Sequence, residues 1–265
     1  MHILIVKILV TITLILGLSH IAERTGPRVA GVLSGFPIGT ALVLFFYGIE
    51  LGPRFAASTV PYNLLGHVSA QSFAYLYFLR ARSGAPSSVI HASLAALTGY
   101  ALAASLMSSL EPSLLSSACI SFASIALFSL LFRRAPNIPI ERKVRCTRGM
   151  ILMRLLLSTT IVLLVTGLAH SVGPRWAGLF SAFPLVVFPL VLLIHVHHGH
   201  SQARTVLKNF PRGLWTVLAY SVTVSFTYGH LGVYLGTAVG YMVAAGVMLA
   251  VNHRVLFGGT PAKAS

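Results

Sequence analysis

The chain has 265 residues, 56% of them hydrophobic and only 9% charged, with a mean hydropathy of +0.85. About a quarter of the residues in a soluble domain are charged, so this composition excludes an ordinary soluble fold and points to an integral membrane protein. Nineteen Lys and Arg against four acids give a formal charge of +15; in a membrane chain that excess belongs in cytoplasmic loops, and no nucleic-acid partner is expected.

Apolar runs longer than the ~18 residues of a spanning helix, without the alternation of barrel strands, predict an all-α polytopic bundle. In chain order the expected spans are 3–19, 28–49, 60–79, 87–108, 113–132, 149–169, 175–194, 212–229 and 231–252, nine transmembrane helices in all. The first resembles a secretory signal, with Lys7 ahead of an apolar run. A similar run at 151–168 precedes a similar motif deep in the chain, so the first segment is kept as a helix of the mature protein. The basic residues sort between alternate connections. Arg24, Arg28, Arg80, Arg82, the run at 133–148, Arg204, Lys208, Arg212, Arg254 and Lys263 fall on one side, and Lys7, Arg54 and Arg175 on the other. That segregation supports nine spans with the N-terminus outside and the C-terminus in the cytoplasm.

The second span opens with Gly26-Pro27-Arg28-Val29-Ala30-Gly31-Val32-Leu33-Ser34-Gly35-Phe36-Pro37. The seventh opens with Gly173-Pro174-Arg175-Trp176-Ala177-Gly178-Leu179-Phe180-Ser181-Ala182-Phe183-Pro184, identical at eight of twelve positions at an offset of 147. A shorter Gly-Pro-Arg at Gly52 to Arg54 lacks the rest of the motif. Five spans separate the two copies, an odd number, so they enter the membrane from opposite faces. The expected layout is two inverted four-helix repeats, 1–110 and 149–265, joined by a connector helix and basic cytoplasmic loop at 111–148.

Trp176-Ala177-Gly178-Leu179 through Phe183-Pro184, the apolar helix ending in His195, then Ala203-Arg204-Thr205 and Leu214-Trp215, resemble the GlpM family of small bacterial inner-membrane proteins. In the first half only Ala30-Gly31 and Phe36-Pro37 match well. This chain departs from that pattern in its doubled length, in Ser181 inside the motif, and in extra residues between Thr205 and Trp215. The resemblance implies inner-membrane residence rather than a mechanism.

Pro37 and Pro184 each fall ten residues after the proline that opens their helix, ~15 Å along it and near the middle of a ~30 Å hydrocarbon layer. Each is expected to free a carbonyl, Leu33 or Phe180, beside a hydroxyl, Ser34 or Ser181. Either these are packing kinks or, with Phe36 and Phe183, they form the broken-helix substrate site of an inverted-repeat transporter. Arg28 and Arg175 begin the two helices and are either paired entry points for an anionic group or snorkelling interfacial anchors. In the third span Asn63, His67 and Gln71 share one helical face with Gly66, Ala70 and Ala74, lining a path or gluing helices together, with His67 the candidate proton acceptor.

His195, His197, His198 and His200 invite a metal reading, set aside because strong zinc sites draw ligands from separated, fixed elements. Cys119 and Cys146 offer neither a disulfide framework nor ligand spacing. There is no Asp, and Glu23, Glu50, Glu111 and Glu141 sit at helix ends or in loops, so paired-carboxylate catalysis has no foundation. The expectation is therefore a secondary transporter or facilitator for a small organic anion or an anionic lipid-linked group, not an enzyme, with neither cofactor nor metal. The alternative is a non-catalytic component supporting envelope or polysaccharide biogenesis. The partners expected are the lipid bilayer and the anionic substrate, with a homodimer left open.

Overall fold

A computed structural model describes residues 4–14, 16–17, 32–33, 35–136 and 148–256. Within them the chain is all-helical: α1 (Leu4–Leu14), α2 (Ile38–Glu50), α3 (Pro53–Arg80), α4 (Pro86–Ser108), α5 (Leu114–Leu131), α6 (Arg148–Ser181), α7 (Val187–His198) and α8 (His200–Leu256), with no strand among the described residues. Segments 86–108, 114–131, 151–181 and 200–251 are long and apolar enough to cross a membrane. Their outer surfaces carry Leu102, Leu115, Leu130, Leu235 and Met242, each at least 63% exposed. A belt of that kind is incompatible with water and fits a lipid solvent.

α6 and α8 each bend at a glycine: Gly173 (φ 70°) divides α6 into arms 148–172 and 174–181, and Gly232 (φ 74°) divides α8 into arms 200–231 and 233–256. Two further left-handed glycines, Gly52 (φ 94°) before α3 and Gly199 (φ 90°) before α8, make the tight entries to those helices. A residue with a Cβ is strained there, so all four reversals need glycine. Gly52 and Gly199 stand 147 positions apart. The Gly52-Pro53-Arg54 tripeptide is thus a helix entry in its own right, with Pro53 at a first-turn position where its missing N–H costs nothing.

The long helices differ from expectation at their starts. α3 begins at Pro53, not 60, and α8 at His200, not 212. The stretch 200–211 reads as a basic loop because of Arg204 and Lys208. Yet Ala203, Val206, Leu207 and Phe210 recur at helical spacing and are buried, while the Arg204 guanidinium lies 4.2 Å from the Phe78 ring centroid. α3, 28 residues and ~42 Å long, is not among the four apolar spanning candidates because its buried face is polar. It packs against α2, α4, α5, α6 and α8 at the centre of the bundle, shielded from lipid.

Near the end of α2, Lys7 Nζ on α1 donates to Glu50 at 2.7 Å and to Thr166 Oγ1 at 2.8 Å, and lies 5.5 Å from the Phe46 ring centroid. A buried cation in lipid demands such a set of partners.

Candidate functional site

The interruptions expected at the two Phe-Pro motifs are present. In the first broken helix, residues 32–33 are helical, 35–37 turn, and α2 resumes at Ile38. In the second, the short arm of α6 ends at Ser181, residues 182–186 turn, and α7 resumes at Val187. The breaks are built alike. Gly35 N–H donates to Val32 O, Phe36 to Leu33, Ile38 to Phe36 and Ala41 to Pro37; Ala182 donates to Leu179, Phe183 to Phe180, Leu185 to Phe183 and Phe188 to Pro184. Every bond of the first set has its counterpart in the second, donor and acceptor both 147 residues further on. The expected open carbonyls are corrected by this pattern: Leu33 O and Phe180 O each accept a 3.0 Å bond from the residue before the proline, because the last turn tightens to a three-residue repeat.

The two breaks meet. Thr40 Oγ1 donates to Ser181 O at 3.2 Å, and Gly35, Phe36, Gly39 and Thr40 share with Ala182, Phe183, Pro184, Leu185 and Val186 the wall of one cavity of about 30 Å³. That volume suits a water or two and no organic ligand. The N-terminal ends of α2 and α7, where a helix leaves its first N–H groups without internal partners, both reach this wall.

Each break is held by a long helix from the other half of the chain. α3 runs beside the second broken helix in the same sense. The Arg175 guanidinium stands 5.7 Å from the Tyr62 ring centroid, Gly66 abuts Leu179 and Ala182, Phe73 meets Phe183 and Phe188, and Tyr77 bonds His195. The first arm of α8 does the same for the first break, where Gly213 abuts Val32 O and Gly35, and Thr216 Oγ1 lies 3.3 Å from Gly35 O. Gly66 and Gly213 are again 147 apart.

The polar face of α3 is engaged along its length. Asn63 Nδ2 donates to Ser181 Oγ at 2.7 Å and its Oδ1 accepts from Ser221 Oγ at 2.7 Å. His67 Nδ1 lies 2.7 Å from Ser121 Oγ, and Gln71 Nε2 donates to Ser124 Oγ at 2.9 Å. Ser117, Ser121 and Ser124, spaced by four and three, form one buried stripe on α5. This stripe is what sequence reasoning passed over by treating α5 as a mere connector; its helical spacing in an otherwise apolar run was the available signal.

The remaining predicted positions divide. Phe36 stacks on Tyr241 at 6.1 Å and Pro37 is buried, while Phe183 is enclosed by Phe73, Tyr100 and Phe188. Pro184 and Ser181 sit at the crossing. Arg175 is 43% exposed at the far end of its helical arm, 3.6 Å from Glu111, and does not line the cavity. Arg28 and Ser34 lie outside the described residues.

Of the histidine run, His195 is turned inward, its Nε2–H donating to Ser83 O at 2.8 Å and its Nδ1 accepting from Tyr77 Oη at 3.0 Å, while His197 faces outward. Among the described residues no three His, Cys, Asp or Glu side chains gather as a metal would require.

Fold and site together define a helical membrane-embedded protein in which two interrupted helices cross at their interruptions. Compared with family models, curated protein sequences and solved structures, the chain gives no match.

Proposed function

We propose that the chain is a secondary transporter or facilitator for a small organic anion or an anionic lipid-linked group, working by alternating access about its two broken helices. The observation that carries this reading is the meeting, at one small cavity, of two breaks that share a hydrogen-bond pattern at an offset of 147. Interrupted helices at mid-membrane put N–H groups and positive helix ends where an anion would pass, and lipid tolerates such irregular backbone only beside a cavity or a protein neighbour. The described conformation is closed, because organic ligands need some tenfold more room.

Two inverted four-helix repeats, 1–110 and 149–265, joined through 111–148 account for the geometry. α3 doubles back from α2 through the Gly52 turn, with Tyr47 against Phe55, yet runs in the same sense as the second broken helix. The two broken helices therefore run in contrary senses, which is the support for inversion. The layout of nine spans, the outside N-terminus, the cytoplasmic C-terminus and the bacterial inner membrane belong to the same proposal, as does kinship with the GlpM-like proteins. Arg175, and by its sequence position Arg28, would gather the anion at the two faces rather than bind it at the crossing.

The test is uptake into proteoliposomes from a panel of anionic metabolites, with thiol labelling of Ser34→Cys and Ser181→Cys. Transport predicts labelling that changes sides with substrate, and a fall of about tenfold in uptake for Arg28→Ala and Arg175→Ala, the size of one charge-assisted contact. A labelling pattern indifferent to every anion favours the non-catalytic envelope component instead. Full uptake in both arginine variants removes the anion assignment.

A further inference from the structure

The two halves of the chain differ where they should be most alike. Asn63, His67 and Gln71 on α3 have as their counterparts, 147 residues on, Phe210, Leu214 and Leu218 in the first arm of α8. Both helices do the same structural work, each pressing a glycine against one break. At the matching positions of α8 the side chains are apolar, with Phe210 and Leu214 buried. The fold thus contains its own control: a long helix against a break needs no polar side chain at these positions.

Polar groups in a membrane interior are costly, and those dispensable for packing mark function. Here they are aligned. His67 with Ser121 and Gln71 with Ser124 make two rungs between helices running in the same sense, α3 and α5. Two atoms of this seam are buried without a partner, Nε2 of His67 and Oε1 of Gln71, although both residues are at most 1% exposed. A native buried polar atom left unpaired calls for an explanation, and the capacity of an imidazole nitrogen to take up a proton supplies one for His67.

Several ionisable side chains on the elements around α3 are engaged elsewhere or exposed. Glu50 on α2 pairs with Lys7, and Tyr47 donates to the carbonyl of Ala177. On α4, Tyr100 donates to Leu179 O and His91 is exposed. Cys119 of α5 and His170 of α6 are exposed, and Arg175 faces Glu111 and Tyr62. On α8, Arg204 covers Phe78, Lys208 donates to Ala135 O, and Tyr220 lies against the Tyr228 hydroxyl. No described carboxylate is placed to balance a charge on His67.

We infer that His67, backed by Ser121, Gln71 and Ser124, is the site of a proton that moves together with the anion, the anion itself supplying the countercharge. This rests on the transport reading above. Nε2 takes a proton from hydronium on one side, an O–H bond breaking as the N–H bond forms, while Nδ1–H donates to Ser121 Oγ; on the other side the Nε2–H bond breaks and the proton passes to water. An imidazolium without a countercharge is not tolerated in this interior, so the proton is held only when an anion is beside it. Proton and anion then travel as a neutral pair, and the chain needs no intramembrane acid.

The test uses the full chain in proteoliposomes with a trapped pH dye and inward gradients of succinate, gluconate and inorganic phosphate. The parent chain should acidify the interior as an anion enters. His67→Gln, which keeps a bond to Ser121 but holds no proton, should lower the protons carried per anion by about tenfold or more. His67→Leu, the residue found at position 214, should do the same, and its folding is checked by the unchanged monomer or dimer peak in detergent. Anion entry without acidification, or acidification undiminished in both variants, overturns the proton assignment and leaves the transporter standing. Entry of none of the three anions overturns both.

Discussion

Replacing Gly213 with alanine probes how the first break is held. A Cβ there would lie 2.3 Å from Val32 O and 2.5 Å from Gly35 Cα, both backbone atoms that no rotamer change can move aside. Ordinary contact begins at 3.4 Å, so the α8 arm and the break must part by about 1.1 Å (3.4 − 2.3). That movement also stretches the 3.3 Å approach of Thr216 Oγ1 to Gly35 O beyond bonding range. Overpacking of this kind costs ~1–3 kcal/mol, and a lost interhelical hydrogen bond in a membrane adds ~0.6 kcal/mol. Gly246→Ala provides the comparison, because it lies on the same helix with nothing within 4 Å of its added Cβ and should gain ~0.5–1 kcal/mol of helix stability. Reversible unfolding in mixed micelles, with the two variants side by side, should move the midpoints in opposite directions. If both unfold at the same denaturant fraction, the close backbone contact at the first break does not exist.

Asn63→Leu should destabilise by ~1–2 kcal/mol, since it removes two interhelical bonds and strands Ser221, and a double-mutant cycle with Ser221→Ala should return a coupling above ~0.5 kcal/mol. Lys7→Met should cost ~1–3 kcal/mol by leaving the part-buried Glu50 carboxylate without its cation, and Glu50→Gln added to it should restore much of that loss; denaturation of the single and double variants decides. Glu111→Gln should change stability by less than ~0.5 kcal/mol, because its 3.6 Å contact with Arg175 is open to water, and any larger shift in the same assay would show the pair to be structural.

The motif duplication was legible because eight identities in twelve residues stand out from any apolar background. Its extension was not: Gly52 with Gly199 and Gly66 with Gly213 are single shared glycines, whose common role shows only as backbone angles or contacts with a break. The proline interruptions followed from chemistry, since a helix cannot bond through a missing N–H. The open carbonyls did not follow, because the Phe36 and Phe183 N–H groups fold back to reach Leu33 and Phe180. The starts of α3 and α8 were misjudged for one reason: polar or charged side chains near a helix start mimic a loop when the partners that bury them, such as Phe78 beneath Arg204, lie far away in sequence. Asn63, His67 and Gln71 were visible as a stripe, but their partners on α5, α6 and α8 were not.

Since α3 clasps the break at Ala182 while α8 clasps the break at Gly35, the two halves of the chain are laced through one another rather than set side by side. Neither half owns a complete lining for its own interrupted helix. Split at the loop after α5 and produced singly, each piece should remain unassembled, and only joint synthesis should restore the whole. Any hinge motion must then divide the molecule along a seam that is not its midpoint in sequence, carrying α3 with the later motif and the α8 arm with the earlier one.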